Sequence, residues 1–142
     1  GSGGWGIKNR YPVAAGGSAP KGPFIAPCVL ADVPPEAAIG TDDEVFGPVF
    51  TVVPMSGDAG MLALANASRF GLMASVFSRD LERAMALAER LQAGGVVING
   101  TDNYRPPVIP FGGVKQSGLG REGSRHGIEG FTEIKYVCLD AA

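Results

Sequence analysis

The chain has 142 residues, of which 45% are hydrophobic and 18% are charged, and its formal net charge is −2 at pH 7. This length predicts one ordinary domain with a single core, and the mixed charge argues against binding to nucleic acid or to an anionic membrane. No apolar run approaches the roughly 18 residues that a membrane span needs, and no signal segment opens the chain.

The first part of the chain is expected to be loop followed by strand. Residues 1–15 form an irregular lead-in, of which Gly-Ser-Gly-Gly at the start has the composition of a linker. The apolar segment 24–33 predicts a strand, which Pro27 restricts to a sheet edge or a bend. An acidic loop then turns at Gly47-Pro48 into the apolar segment 49–53, which is typical of a buried parallel strand.

Two helix–strand pairs follow. Asp58 is the candidate cap of the first helix, and Ser78 or Asp80 caps the second, whose apolar side chains recur at helical spacing. The order strand–helix–strand–helix–strand predicts a βαβαβ unit with a parallel sheet and right-handed crossovers. We predict helices over 59–68 and 81–92 and strands over 73–77 and 96–99.

Residues 100–123 lack any period and are too many for an ordinary connection. Long structured loops of this kind are usually functional. A short helix over 124–130 and an apolar strand over 132–139 are predicted to close the chain.

Several residues are candidates for chemistry. The Glu44 carboxylate can accept hydrogen bonds from both hydroxyls of a ribose, and the Phe46 ring can pack on a flat heterocycle; the alternative is a plain surface turn. In the long loop, Tyr104, Arg105 and Phe111 could line a pocket for a small organic substrate.

Other residues are weaker candidates for a catalytic or binding role. The glycines at 118, 120 and 123 match GxGxxG, but a dinucleotide turn needs a strand directly before its first glycine, so we expect them to serve positive φ angles and close packing. His126, the only histidine, is expected to be a surface or capping residue. Cys28 and Cys138 have no metal-ligand spacing and are expected to be reduced, mostly buried thiols of a cytoplasmic protein, with no metal site.

Taken together, the segments resemble the C-terminal part of the NAD(P)-dependent aldehyde dehydrogenase superfamily, from about residue 16 to 139. The motifs that carry the resemblance are Gly16-Gly17, Pro23-Phe24-Ile25-Ala26-Pro27, Glu44-Val45-Phe46-Gly47-Pro48, Leu64-Ala65-Asn66, the run 70–80, Gly94-Gly95-Val96-Val97-Ile98-Asn99 and the run 110–122 from Pro110-Phe111-Gly112-Gly113 to Arg121-Glu122.

The resemblance implies an α/β fold, a three-layer αβα arrangement with a mostly parallel sheet. Residues 16–142 would be the C-terminal portion of an incomplete catalytic domain, ending in an oligomerisation strand. Glu44 would hold the nicotinamide ribose and Phe46 would pack beside the nicotinamide. Phe111 would line the aldehyde tunnel, with Tyr104 and Arg105 as specificity residues.

Enzymes of this family oxidise an aldehyde through a thiohemiacetal on a cysteine, hydride transfer to NAD(P)+ and hydrolysis of a thioester. Their nucleophilic cysteine, general-base glutamate and oxyanion-binding asparagine precede the region that this chain resembles, and Cys28 stands where the family usually has threonine. We therefore expect no catalytic residue here.

We therefore expect the chain to be a fragment that is inactive alone. Its partners would be NAD or NADP, an aldehyde, the remainder of the same polypeptide and a second subunit of a homo-oligomer. The alternative is an inactive binding or oligomerisation module. Arg105 could pair with an anionic aldehyde, or it could be a solvated loop residue beside Pro106-Pro107.

Overall fold

The computed structural model describes residues 11–18 and 21–140. The chain divides into two compact units, Gly1–Ser68 and Arg69–Ala142, where the length predicted one domain with a single core. The apolar side chains lie in short strands separated by loops rich in glycine and proline. Each unit therefore buries only a few of them; the buried hydrophobic residues described are Cys28, Leu30, Val33, Leu62, Val76 and Ala84.

The first unit is built on a three-stranded sheet. Its elements are β1 (Val13–Gly16), β2 (Cys28–Leu30), α1 (Ala38–Thr41), β3 (Val49–Thr51) and α2 (Asp58–Ala67). The strand order is β1-β2-β3, with β2 antiparallel to β1 and parallel to β3. Cys28, Leu30 and Val33 form the core, which confirms Cys28 as a buried thiol.

The second unit is built on a parallel strand pair. Its elements are β4 (Met73–Val76), α3 (Leu81–Arg90), β5 (Gly95–Ile98), a 3-10 turn (Lys115–Ser117) and α4 (Ser124–Glu129). Met73 pairs with Gly95 and Val76 with Ile98. Asp80 caps α3, because its Oδ1 accepts a hydrogen bond of 2.9 Å from the Arg83 amide.

The α/β class with parallel strand pairing is confirmed, but several local expectations need correction. β3 and β4 belong to different sheets, so the three predicted strands do not form one βαβαβ sheet. Gly57, not Asp58, caps α2, and Asp58 lies in the first helical turn. The lead-in expected to be irregular contains β1 from Val13, while residues 1–10 lie outside the described part.

The predicted strand over 132–139 is absent: residues 132–140 contain no helix or strand. Its apolar side chains are exposed, Ile134 fully, because no described strand offers hydrogen bonds to this segment. Cys138 is therefore exposed and not buried as expected. A side-chain hydrogen bond with Cys138 raises the pKa of the Tyr136 phenol.

None of the described helices is long and apolar enough to cross a membrane. Within residues 11–18 and 21–140, no group of three or more His, Cys, Asp or Glu side chains could hold a metal ion.

Candidate functional site

The loop before β3 holds Phe46 at the apex of a tight turn. The Gly47 amide donates to the Val45 carbonyl at 3.0 Å, and the Val49 amide donates to the Gly47 carbonyl at 2.8 Å. Hydrogen bonds across three residues define two successive γ-turns, centred on Phe46 and Pro48. The Phe46 ring at the first of these turns is 93% exposed.

Glu44 precedes this ring by two residues and is also exposed. Its carboxylate makes no hydrogen bond or ion pair with any residue that the structure describes. The Pro48 carbonyl accepts from the Cys28 amide at 2.9 Å, which ties the end of the loop to the sheet. The first unit therefore presents an unused anionic acceptor and an apolar ring together, at the amino end of β3.

In the second unit, Asn99 fixes the point where the long loop leaves β5. Its amide N–H donates to the Val76 carbonyl at 2.8 Å. Its side-chain Oδ1 accepts from the Ser78 amide, and its Nδ2 donates to the Ser78 carbonyl, both at 2.9 Å. The Asn99 side chain thus continues the β4–β5 ladder by one rung, with its own φ at +54°, a conformation that asparagine tolerates better than most residues.

The segment that follows Phe111 packs against the opposite end of the same sheet. The Gly71 carbonyl accepts from the amides of Gly94 (3.0 Å) and Val114 (2.9 Å), and the Gly71 amide donates to Ser117 Oγ at 2.9 Å. A Cβ on Gly94 would collide with the Gly112 carbonyl. Glycine is required here because backbone meets backbone without room for a side chain.

Arg105, Phe111 and Glu122 form a closed three-residue cluster. The Phe111 amide donates to the Glu122 carbonyl at 2.9 Å, and the Glu122 amide donates to the Phe111 carbonyl at 2.6 Å. Arg105 Nη2 donates to Glu122 Oε2, and the guanidinium carbon lies 3.8 Å from the Phe111 ring centroid. The structure thus brings Arg105 and Phe111 together, and Tyr104, adjacent in the chain, is 67% exposed.

Sequence reasoning missed Glu122. It lies 17 positions from Arg105, inside a loop without a period, so no local spacing indicates the pair. It also lies beside an open cleft of about 820 Å³, lined in part by Phe111, Glu122, His126, Glu129 and Phe131. His126 Nδ1 is 4.0 Å from Glu129 Oε2.

The glycine-rich run is not a dinucleotide turn. A 3-10 turn, Lys115–Ser117, precedes Gly118 where the fingerprint needs a strand. Gly118, Gly120 and Gly123 have φ of +127°, +77° and +90°. A Cβ on Gly123 would also collide with the Ile109 carbonyl. The expectation of positive φ angles is confirmed for all three glycines, and that of close packing for Gly123 alone, because an added Cβ at Gly118 or Gly120 would meet no atom within 4 Å.

Comparison with known proteins identifies the family. The model of the aldehyde dehydrogenase family matches residues 6–137. The chain belongs to the aldehyde dehydrogenase family.

Curated relatives and solved structures agree with this assignment. Glutarate-semialdehyde dehydrogenase of Pseudomonas aeruginosa is 46% identical over 94% of this chain and 26% of its own. The NADP(+)-dependent succinate-semialdehyde dehydrogenase of Escherichia coli is 44% identical over 89% of this chain and 26% of its own. Betaine aldehyde dehydrogenase of Sinorhizobium fredii is 46% identical over 84% of this chain and 24% of its own.

A crystal structure of Mycobacterium tuberculosis aldehyde dehydrogenase complexed with NAD+ superposes with a TM-score of 0.80 at 36% identity, covering 90% of this chain and 27% of that one. The chain thus spans about a quarter of the length of the relatives that it matches. The family's cofactors, NAD and NADP, both occur among these proteins.

Proposed function

We propose that the chain supplies part of the active site of an NAD(P)+-dependent aldehyde dehydrogenase that converts an aldehyde to a carboxylic acid. Glu44 and Phe46 hold the nicotinamide end of the cofactor, while Phe111, Tyr104 and Arg105 line the path of the aldehyde. The observation that carries the proposal is the pairing, in one tight loop, of an exposed carboxylate that has no described partner with an exposed ring.

The loop suits the cofactor chemically. A carboxylate offers two acceptor oxygens, which match the two hydroxyls of a ribose, and the Phe46 ring offers a face for a flat heterocycle. Bound NAD(P)+ would accept a hydride from the substrate. Glu44 orients the ribose by accepting hydrogen bonds from its two hydroxyl groups. Phe46 excludes water from one face of the nicotinamide ring.

The nucleophile lies outside this chain in our proposal. Cys28 is 4% exposed in the core of the first unit, so its sulfur cannot reach an aldehyde carbon. A cysteine elsewhere in the same polypeptide attacks the aldehyde to form the thiohemiacetal, and this chain forms the C-terminal portion of that enzyme. Alone, the chain does not oxidise aldehydes.

The test replaces Glu44 by glutamine in a complete subunit that carries this chain. Hydrogen bonds to a charged group contribute about 1.5–3 kcal/mol, so we expect KM for NAD(P)+ to rise roughly 10- to 100-fold. The variant Asp43→Asn removes a neighbouring exposed carboxylate and should change KM less than twofold. Equal effects of the two substitutions, or NAD(P)+ reduction by the 142-residue chain alone, would contradict the proposal.

A second function, as a binding or assembly module, is favoured by the C-terminal segment. Residues 132–140 form no strand, yet Ile134, Tyr136, Val137 and Leu139 are all largely exposed. The family resemblance implies an oligomerisation strand at this position, and an apolar segment left in water fits that use. Static light scattering of the purified chain distinguishes this role, which requires association, from a strict monomer.

A further inference from the structure

Resting on the proposed function, the cluster of Arg105, Phe111 and Glu122 indicates which aldehydes the site takes. We propose that Arg105 binds a negatively charged group at the far end of the substrate, so that the enzyme prefers aldehydes that carry a second, anionic group such as a carboxylate.

The Arg105 guanidinium lies against the Phe111 ring. The guanidinium carbon of Arg105 lies over the ring of Phe111 at 3.8 Å from its centroid, and Phe111 is the residue that we place beside the aldehyde. A cation on a ring face is attracted by the ring quadrupole. A positive charge is therefore held against the wall of the substrate path.

Arg105 has N–H donors that are free to bind an anion. A guanidinium has five N–H donors, and the structure gives Arg105 a single hydrogen bond, from Nη2 to Glu122 Oε2, among the residues described. Its remaining N–H groups have no described partner and the side chain is 49% exposed. Arginine can therefore hold Glu122 with one edge and a substrate anion with another.

The Arg105 guanidinium is also preorganised. Arg105 lies between two turns, in which the Tyr104 amide donates to the Thr101 carbonyl and the Ile109 amide to the Pro106 carbonyl, both at 3.2 Å. These turns, the ring contact and the ion pair hold the guanidinium before a substrate arrives, which reduces the entropy lost on binding. The exposed Tyr104 side chain, next in the chain, can add an O–H donor.

The rival role is mechanical: in it, Arg105 only holds Phe111 in place. The two roles differ in what Glu122 does. For an anion site, the Glu122 carboxylate shares Arg105 with the substrate anion and repels it. Glutamine keeps an acceptor oxygen for the guanidinium but removes this repulsion, so binding of an anionic aldehyde becomes stronger. For a purely mechanical clamp, removing that charge loosens Phe111 and weakens binding of every aldehyde.

The experiment uses a complete subunit carrying this chain and two aldehydes of equal length, succinate semialdehyde and neutral butanal. We expect Arg105→Met to raise KM for the semialdehyde at least 10-fold and for butanal no more than twofold. Arg105→Lys should retain part of the preference, and Glu122→Gln should lower KM for the semialdehyde. Arg79→Met is the matched control, because Arg79 follows β4 at the end of the sheet opposite to Gly71 and Gly94 and is exposed.

Binding is measured separately by calorimetric titration of succinate, whose affinity should fall at least 10-fold in Arg105→Met and stay unchanged in Arg79→Met. Equal changes in KM for both aldehydes, or unchanged succinate binding, would overturn the anion site and leave the dehydrogenase function standing. Oxidation of neither aldehyde by the unsubstituted subunit would overturn both proposals.

Discussion

Single side chains do structural work in this chain that the backbone usually does. Asn99 is the clearest case, since its amide group pairs with both the N–H and the C=O of Ser78. A main-chain residue in a strand would offer the same two groups. The long loop that carries Arg105 and Phe111 therefore starts from a fixed point, not from a frayed strand end.

Two substitutions separate the contributions of Asn99. Asn99→Gly removes both side-chain hydrogen bonds but accepts φ of +54°, so it should lower the free energy of unfolding by about 1–2 kcal/mol. Asn99→Ala adds the strain of a left-handed backbone and should cost about 1 kcal/mol more. Urea denaturation followed by circular dichroism measures both values.

Asn103→Ala is the control for Asn99, because Asn103 is exposed and the structure shows only its backbone N–H bonded, to Thr101 Oγ1. Its effect should stay within about 0.5 kcal/mol. If Asn99→Gly is as harmless as Asn103→Ala, the side-chain rung does not support the sheet.

Some site residues could be predicted from the sequence and others could not. Glu44 and Phe46 lie two positions apart, so a local pattern was enough to pair them, and the structure shows both exposed. Their assignment to the cofactor stays a prediction. Glu122 was missed because its contact with Arg105 depends on how a loop without a period closes, and Cys138 was misjudged because its strand has no described partner.

Among the elements, backbone contact matters more than side-chain packing where the glycine-rich run meets the sheet. The Gly71 carbonyl accepts hydrogen bonds from the amides of Gly94 and Val114. The Gly71 amide donates a hydrogen bond to Ser117 Oγ. These bonds hold the segment after Phe111 against the amino ends of β4 and β5. The position of Phe111 thus depends on glycines that touch no ligand.

Replacing Gly71 by alanine tests this dependence. An added Cβ would lie 2.6 Å from the Gln92 carbonyl oxygen and 2.8 Å from Val114 Cγ2, and overpacking of this kind costs about 1–3 kcal/mol. We expect the free energy of unfolding to fall by that amount. Hydrogen exchange at the Gly94 and Val114 amides should also become faster.

The matched control is Gly127→Ala within α4. There the nearest atom to an added Cβ is 3.9 Å away, and alanine favours a helix over glycine by about 1 kcal/mol. This variant should be as stable as the parent or more so. A Gly71→Ala protein with unchanged exchange at Gly94 would show that the contact tolerates a side chain.

The elements themselves were predictable where a period was strong. α3 shows apolar spacing and a capping aspartate, and both the helix and the Asp80 cap are present. β4 and β5 were predicted as the strands before and after it, and both are present as a parallel pair. β1 and α1 were missed because each has four residues that include glycine and alanine, so neither shows a helical or strand period; in β1 all four are exposed.

In the chain as a whole, many large apolar side chains are exposed to solvent. Phe24 and Phe46 in the first unit, and Leu119, Phe131 and Ile134 in the second, are each more than two-thirds exposed. No pattern in the sequence could reveal this, because hydrophobicity shows what is able to be buried and not whether a partner surface exists. The α/β class was predictable; the division into two units was not.

The exposed C-terminal segment, residues 132–139, is suited to pair with a second copy of the chain. If residues 132–139 pair with a second copy as an added strand, their side chains alternate, so that Ile134, Tyr136 and Cys138 share one face. A charge on that face should oppose association because it would have to be desolvated at the contact. We expect the chain to self-associate, and Ile134→Lys to shift the dissociation constant upward at least 10-fold in light-scattering measurements over a concentration series. Glu133→Lys places the same charge on the other face and should have a smaller effect. A strict monomer at high concentration would contradict pairing through this segment, and equal effects of the two lysines would contradict the assignment of its faces.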